Sequence, residues 1–247
     1  MNIFKSKKSD KVWGSSQPKQ LVEIAIYLRD NGFTGPTPAS TVYSLEFTRK
    51  INAELNFSCS INRLYEDPHG VFNFQTYLGL SSIALRNDVD AAMIWETPIC
   101  DVKNKSVYVF SIGLQDLKWD AEGGDINPVW QVSVQPEYSG CANDWIADWA
   151  RYAAPIVTAI NDDSSAIKFC YHILNYKKNP WVKSDGFTSP ALEIYTAMLL
   201  VRNQQVEEAR ALLTDVLGIT TRDAKKIQLH RTIDWIELTT QGKNQNL

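Results

Sequence analysis

The stretch Gly70 to Leu80, GVFNFQTYLGL, decides how the rest of the chain is read. Drawn as an extended strand, it places Phe72, Phe74, Thr76, Leu78 and Leu80 on one side and Asn73, Gln75 and Tyr77 on the other. Period-two alternation of this kind marks a strand with one face on a core and one face partly wet. An ordinary core strand with a solvated outer face satisfies the pattern. The same outer face is also where a partner could dock.

Working outward, Thr41 to Phe47 and Asn56 to Leu64 alternate in the same way. Tyr43, Leu45 and Phe47 share one side of the former. In the latter, Phe57, Cys59 and Ile61 oppose Ser58, Ser60 and Asn62. The run EDPHG (Glu66 to Gly70) is a turn by composition, which makes its flanking strands antiparallel neighbours. Ser81 to Arg86 either continues the central strand or turns helical. Ser106 to Leu114 and Trp130 to Val134 add two further strands. Asp116 to Asp125, within which lies AEGGD, reads as an acidic loop between them.

Before this region, Gln20 to Asn31 carries Leu21, Ile24, Ala25 and Leu28 at helical spacing, with Gly32 as its stop. After Pro136 the periodicity becomes helical. A helix capped at Asn143 or Asp144 should end or kink at Pro155. Others follow over Ser164 to Tyr176, from Ser189-Pro190 to Asn203, and from Gln204 or Gln205 to a stop at Gly218. The last opens at Thr220 with Asp223 and carries Ile227, His230, Ile233 and Ile236. The expected fold is α+β: an antiparallel sheet of about five strands in the N-terminal half, packed against a helical C-terminal half. Residues 1–18 read as a mobile tail, 19–138 as the sheet region and 139–247 as the helical region, the last two forming one compact unit.

A chain of 247 residues with 44% hydrophobic and 21% charged residues can bury a core without disulfides or metal. The net charge of −3 argues against non-specific nucleic-acid binding. The lysine-bearing start lacks the apolar segment of a signal peptide, and no apolar run reaches membrane-spanning length. Cys59, Cys100, Cys141 and Cys170 form no C-x-x-C pair and are expected to stay reduced, in a cytoplasmic setting.

Chemistry-bearing patterns are sparse. His69, His172 and His230 have no companions at zinc-ligand spacing, and Cys170 and His172 point to opposite sides of a helix. Neither a nucleophile elbow nor a glycine-rich phosphate loop occurs. One enzymatic alternative is a metal-dependent nuclease-like site in which Asp88, Asp90 and Asp101 hold a divalent cation and Lys103 steadies the attacking water. Trp145 and Trp149, four apart, share a helix face; Trp119, Trp130 and Trp181 lie near loops or strand ends. Core packing accounts for such aromatics, and exposure would suit a binding surface.

The segment Leu28 to Phe33 (L-x-x-x-G-F), a strand near Tyr43, a polar strand from Asn56 to Arg63, and Gly70, Phe72 and Gly79 (G-x-F-x-x-x-x-x-G) together resemble bacterial domain-of-unknown-function family 4304. The resemblance covers roughly the first hundred residues. It implies an α+β protein of polymorphic-toxin or immunity-like gene neighbourhoods and carries no active-site residue. The leading expectation is therefore a non-catalytic bacterial protein-binding protein, an immunity protein that neutralises a basic toxin domain. It needs no cofactor and has no membrane or nucleic-acid partner. Contact would come from Asn73, Gln75 and Tyr77 and from the acidic residues Asp120, Glu122 and Asp125. A small-ligand-binding protein is a further alternative.

Overall fold

The computed structural model describes residues 19–36, 44–66, 71–95, 106–122, 130–133, 141–176 and 191–244. Outside them fall the N-terminal segment with Trp13, most of the Glu66–Gly70 turn with His69, and Asp101, Lys103, Asp125 and Val134. Trp181 and the Ser189-Pro190 pair lie outside as well.

Helix α1 (Lys19–Asp30) buries Gln20, Leu21, Ile24, Ala25 and Leu28, the expected stripe. It ends where Gly32 takes φ +83°. The Phe33 N–H reaches Leu28 O at 2.9 Å and the Gly32 N–H reaches Arg29 O at 2.9 Å. This Schellman pair satisfies carbonyls that would otherwise be orphaned at the helix end.

Strands β1 (Ser44–Lys50), β2 (Leu55–Glu66), β3 (Val71–Ser82) and β4 (Val107–Gly113) lie in that order in one sheet, and β5 (Trp130–Ser133) also pairs with β3. β1 and β2 are antiparallel, with Phe47 opposite Cys59 and Glu46 opposite Ser60. β3 and β5 are antiparallel, with Phe74 opposite Trp130. Their tight β1–β2 turn is held by Asn52 Oδ1, which accepts the N–H groups of Glu54 and Leu55, each at 2.8 Å. Gly35 must be glycine: a Cβ there would come within 2.7 Å of the Phe47 ring and 2.8 Å of Glu46 O. The central strand follows its alternation, since Phe74, Thr76, Leu78 and Leu80 are all 0% exposed.

The segment after β3 is helix α2 (Ile83–Ala91), opened by Ser82 Oγ accepting the Leu85 N–H. The expected acidic loop is corrected: Leu114–Glu122 is helix α3. LQDLKWDAE holds no glycine or proline, the breakers come only at Gly123-Gly124, and Asp116 in the first turn complements the helix dipole. Next, α4 (Cys141–Asp148) starts before the expected caps Asn143 and Asp144, which fall inside it. Pro155 does not stop the helix, which continues as α5 (Ala154–Ala159). A proline there supplies no N–H to the carbonyl four residues back and crowds it. The π-helical turn Trp149–Ala153, with the Ala154 N–H bonding Trp149 O, widens the helix just ahead of the ring.

The chain divides into two compact units. The first comprises Met1–Leu80, Ser111–Ala159 and Ser184–Thr188; the second comprises Ser81–Phe110, Ile160–Lys183 and Ser189–Leu247. In the first, the apolar side of β3 meets Trp145 of α4, which anchors a cluster of aromatic residues. Trp145 donates through Nε1 to Thr76 Oγ1 at 2.8 Å and stacks on Trp149 at 5.1 Å. Tyr27 stands edge-on to Trp145 and Phe33 edge-on to Trp149.

The second unit is mostly helical, with the start of β4. It contains α6 (Asp163–Tyr176), α7 (Leu192–Arg202), α8 (Val206–Ile219) and α9 (Asp223–Asn244) besides α2. α7 is its axis, with every residue from Ile194 to Val201 buried. α6 turns the expected Ile167, Cys170, Ile173 and Leu174 inward. α8 runs one residue past Gly218 before Thr220 ends it. α9 corrects the expected stripe. Leu229, Thr232 and Ile236 are buried, whereas His230 is exposed and Ile227 is 49% exposed. The helix carries apolar residues on two sides, and only packing selects between them.

The α7–α8 link contains Gln204 at φ 64°, with its N–H bonded to Val201 O and the Gln205 N–H bonded to Leu200 O. This is a second Schellman ending, built on a residue with a Cβ. Left-handed backbone costs such a residue about 1 kcal/mol more than glycine. Gln204→Gly is therefore expected to raise stability by about 0.5–1 kcal/mol, read as a higher denaturant midpoint with an unchanged slope.

Candidate functional site

The polar side of the sheet in the first unit is the candidate site. Register places Ser44 opposite Asn62, Glu46 opposite Ser60 and Thr48 opposite Ser58, all on the side away from Phe47, Phe57 and Cys59. Alternation puts Asn73, Gln75 and Tyr77 of the adjacent β3 on that side too, each half-buried. The Tyr77 hydroxyl donates to Gln75 Oε1 at 2.9 Å. Among the described residues nothing hydrogen-bonds the buried Asn73 Oδ1, an arrangement costing about 1–3 kcal/mol.

Glu46 sits in this face. Burial pushes its carboxyl up to about 7, against the opposing effect of the Ser44 hydroxyl, which donates to Oε1 at 3.0 Å. An ordinary glutamate titrates near 4.5. Between those two values the folded state keeps a proton that the unfolded chain has released, so stability falls as pH rises through that window. Above pH 7 the loss is complete. Glu46→Gln should flatten this dependence and stabilise the protein at pH 8 by up to about 3 kcal/mol, measured by denaturant unfolding from pH 4 to 8.

Beside Tyr77 stands α3. The buried Gln115 reaches through Oε1 to the backbone N–H of Thr76 at 3.3 Å, just beyond the segment of β3 that pairs with β5. Gly113 closes the approach: a Cβ there would run into the Asp116 carboxylate and the Gln115 amide. Asp116 and Asp120, four apart, share the side of α3 turned to Tyr77. Burial raises the Asp116 carboxyl and the Asp120 charge raises it further, while the Gly113 N–H acts the other way. Burial also raises Asp120. Tyr77 is raised by burial and then by Asp116, with Gln115 opposing.

The opposite side of α3 is tied down. Lys118 Nζ donates to both carboxylate oxygens of Asp148 at 3.0 Å, and Trp130 Nε1 donates to Asp148 Oδ2 at 3.0 Å. Glu122 accepts from Arg151 at 3.1 Å and from the Tyr152 hydroxyl at 2.5 Å.

The structure thus brings Gln75 and Tyr77 together with Asp116 and Gln115, and sets Asp120 one turn along α3 from Asp116. It sends Glu122 to the other side of the helix, because residues two apart on a helix diverge by about 200°. D-x-x-x-D read as helix rather than loop would have paired Asp116 with Asp120. Asp125 lies outside the described residues. In the second unit, Asp88 bonds Arg202 at 2.9 Å and Asp90 bonds Arg86 at 2.9 Å. Their suggested companions Asp101 and Lys103 are outside the described residues. Among the described residues no group of three or more His, Cys, Asp or Glu side chains is arranged to hold a metal ion.

No family model, curated protein or solved structure matches the chain.

The aromatic residues resolve into roles: Trp130, Trp145 and Trp149 are buried, and Trp119 on α3 is 40% exposed. Cys59, Cys141 and Cys170 are free thiols. Burial pushes Cys170 up to about 12 and Cys59 well above its ordinary value, which keeps both in the unreactive thiol form. Among the described residues no helix is long and apolar enough to cross a membrane.

Proposed function

We propose that this chain is a non-catalytic protein-binding protein of bacterial cytoplasm, an immunity-type protein whose partner is a basic toxin domain. Contact falls on the polar side of β3 and the acidic side of α3. The convergence of Gln75 and Tyr77 with Asp116, with Asp120 one turn further along α3, carries this reading. Burial raises both carboxyls, so their charged forms are held less favourably than those of free aspartates, and a lysine or arginine placed against them offsets that cost. The half-buried amides and phenol beside them supply directional hydrogen bonds that set register. The resemblance of Leu28–Phe33 and Gly70–Gly79 to family 4304 agrees with such a role.

Capture from cells carrying the neighbouring genes tests it. The wild-type chain should recover a basic protein, with an association rate that falls steeply with salt. Asp116→Lys combined with Asp120→Lys should weaken recovery by tenfold or more. Equal recovery by this charge-reversed variant, or no protein recovered by the wild type, ends the proposal.

A further inference from the structure

The exposed side of α9 carries a pattern the proposed contact surface does not use. α9 is 22 residues long, about 33 Å, and its inner side is fixed. Leu229, Thr232 and Ile236 are buried, Lys225 bonds Glu193 of α7 at 3.0 Å, and Arg210 of α8 bonds Glu237 at 3.0 Å. On the outer side Asp223, Ile227, His230, Asp234, Leu238 and Gln241 form one stripe at spacings of three and four. All six are exposed, Ile227 by 49% and Leu238 by 70%. Among the described residues neither His230 nor Asp234 has an ion-pair or hydrogen-bond partner for its side chain.

This stripe is complementary to itself when reversed. Laid antiparallel on a second copy about a two-fold axis near its centre, Ile227 meets Leu238 of the other copy and Leu238 meets its Ile227. His230 then faces Asp234 of the other copy, and the reciprocal pair forms by symmetry. Asp223 falls opposite Gln241. A two-fold interface requires this reciprocity, in which residue i contacts j and j contacts i. In a parallel arrangement His230 would face His230 and Asp234 would face Asp234, like against like. We propose that the outer side of α9 is a homodimer interface, and that its occupant is α9 of a second copy in antiparallel register. One helix on one helix buries less than the ~1,000 Å² of stable interfaces, so the dimer is weak and concentration-dependent.

Sedimentation equilibrium on the full chain tests this. The wild type should rise from 28.0 kDa toward twice that mass as concentration increases to about 0.5 mM. Leu238→Lys, at a site already exposed in the monomer, should raise the dissociation constant about tenfold or more with an unchanged circular dichroism spectrum and melting temperature. His230→Asp should also weaken association, and adding Asp234→His to it should restore association. Register is read by oxidation. The Ile227→Cys, Leu238→Cys double variant should form interchain disulfides, while Ile227→Cys alone should not, since antiparallel α9 copies set its two sulfurs about 16 Å apart. A monomer at every concentration, a dimer indifferent to Leu238→Lys, or crosslinking by Ile227→Cys alone would overturn the proposal.

Discussion

Trp145→Ala should destabilise the protein by about 4 kcal/mol or more, the largest effect expected of any single substitution here. Trp145 is 0% exposed and fills the space between α1 and the apolar side of β3. Truncating a buried tryptophan costs about 3–5 kcal/mol in lost burial and cavity formation. Two further losses add to this. The stack on Trp149 and the edge contact with Tyr27 disappear, and Thr76 Oγ1, on a residue with no solvent exposure, loses its donor. Trp145→Phe keeps part of the stack but not the indole N–H and should cost about half as much. Thermal unfolding should register the alanine change as a fall of roughly 10 °C or more, at about 2–4 °C per kcal/mol for a chain of this size. A shift under about 2 °C would mean that the helices over β3 are not locked to it by this residue.

Asp148→Ala comes next, at about 3 kcal/mol. Asp148 is 8% exposed and joins three elements: Lys118 of α3 through both oxygens, Trp130 of β5 through the indole N–H, and its own helix α4. Removing it leaves an ammonium whose side chain is only 28% exposed, and the indole N–H of Trp130, a residue 5% exposed, without their acceptor. Stranding one member of a buried pair is costly even where the intact pair contributes little net stability. Lys118 lies close enough to solvent to recover part of its hydration, which sets the effect at the lower end of the usual range of about 3–5 kcal/mol. Asp148→Asn should cost less, because the amide oxygen still accepts from Trp130. A double-mutant cycle with Lys118→Met isolates the pairwise coupling, expected at about 1–2 kcal/mol. If Asp148→Ala unfolds at the wild-type denaturant midpoint, the anchoring of α3 by this contact is refuted. The substitution should also loosen the side of α3 that carries Asp116 and Asp120, since the helix is held from the opposite side.

These expectations rest on features of unequal legibility. Local pattern was sufficient for β3, whose alternation holds residue for residue from Asn73 to Leu78. It was sufficient also for α1, where an apolar stripe and a terminal glycine agree, and for the inward residues of α6. α3 was misread because its acidic composition resembles a solvated loop, although nothing in it forbids helix until Gly123. For Pro155 the sequence rule left an end or a kink open, and the structure resolves it as a π turn ahead of the ring, through which the helix continues. α9 was misread because it has apolar residues on two sides, so no single face stands out.

Sequence alone settled the class of the protein: α+β, with alternating strands in the N-terminal half and helices in the C-terminal half. The reason is that side-chain period is a local property, set by backbone geometry within each element. It settled neither which acids meet Tyr77, nor the near-neutral titration of Glu46, nor which side of α9 is left bare. Each of those depends on what lies across a gap from the residue in question, on distance, burial and neighbouring charge between segments far apart in the chain. That information exists only once β3, α3 and the helices have packed.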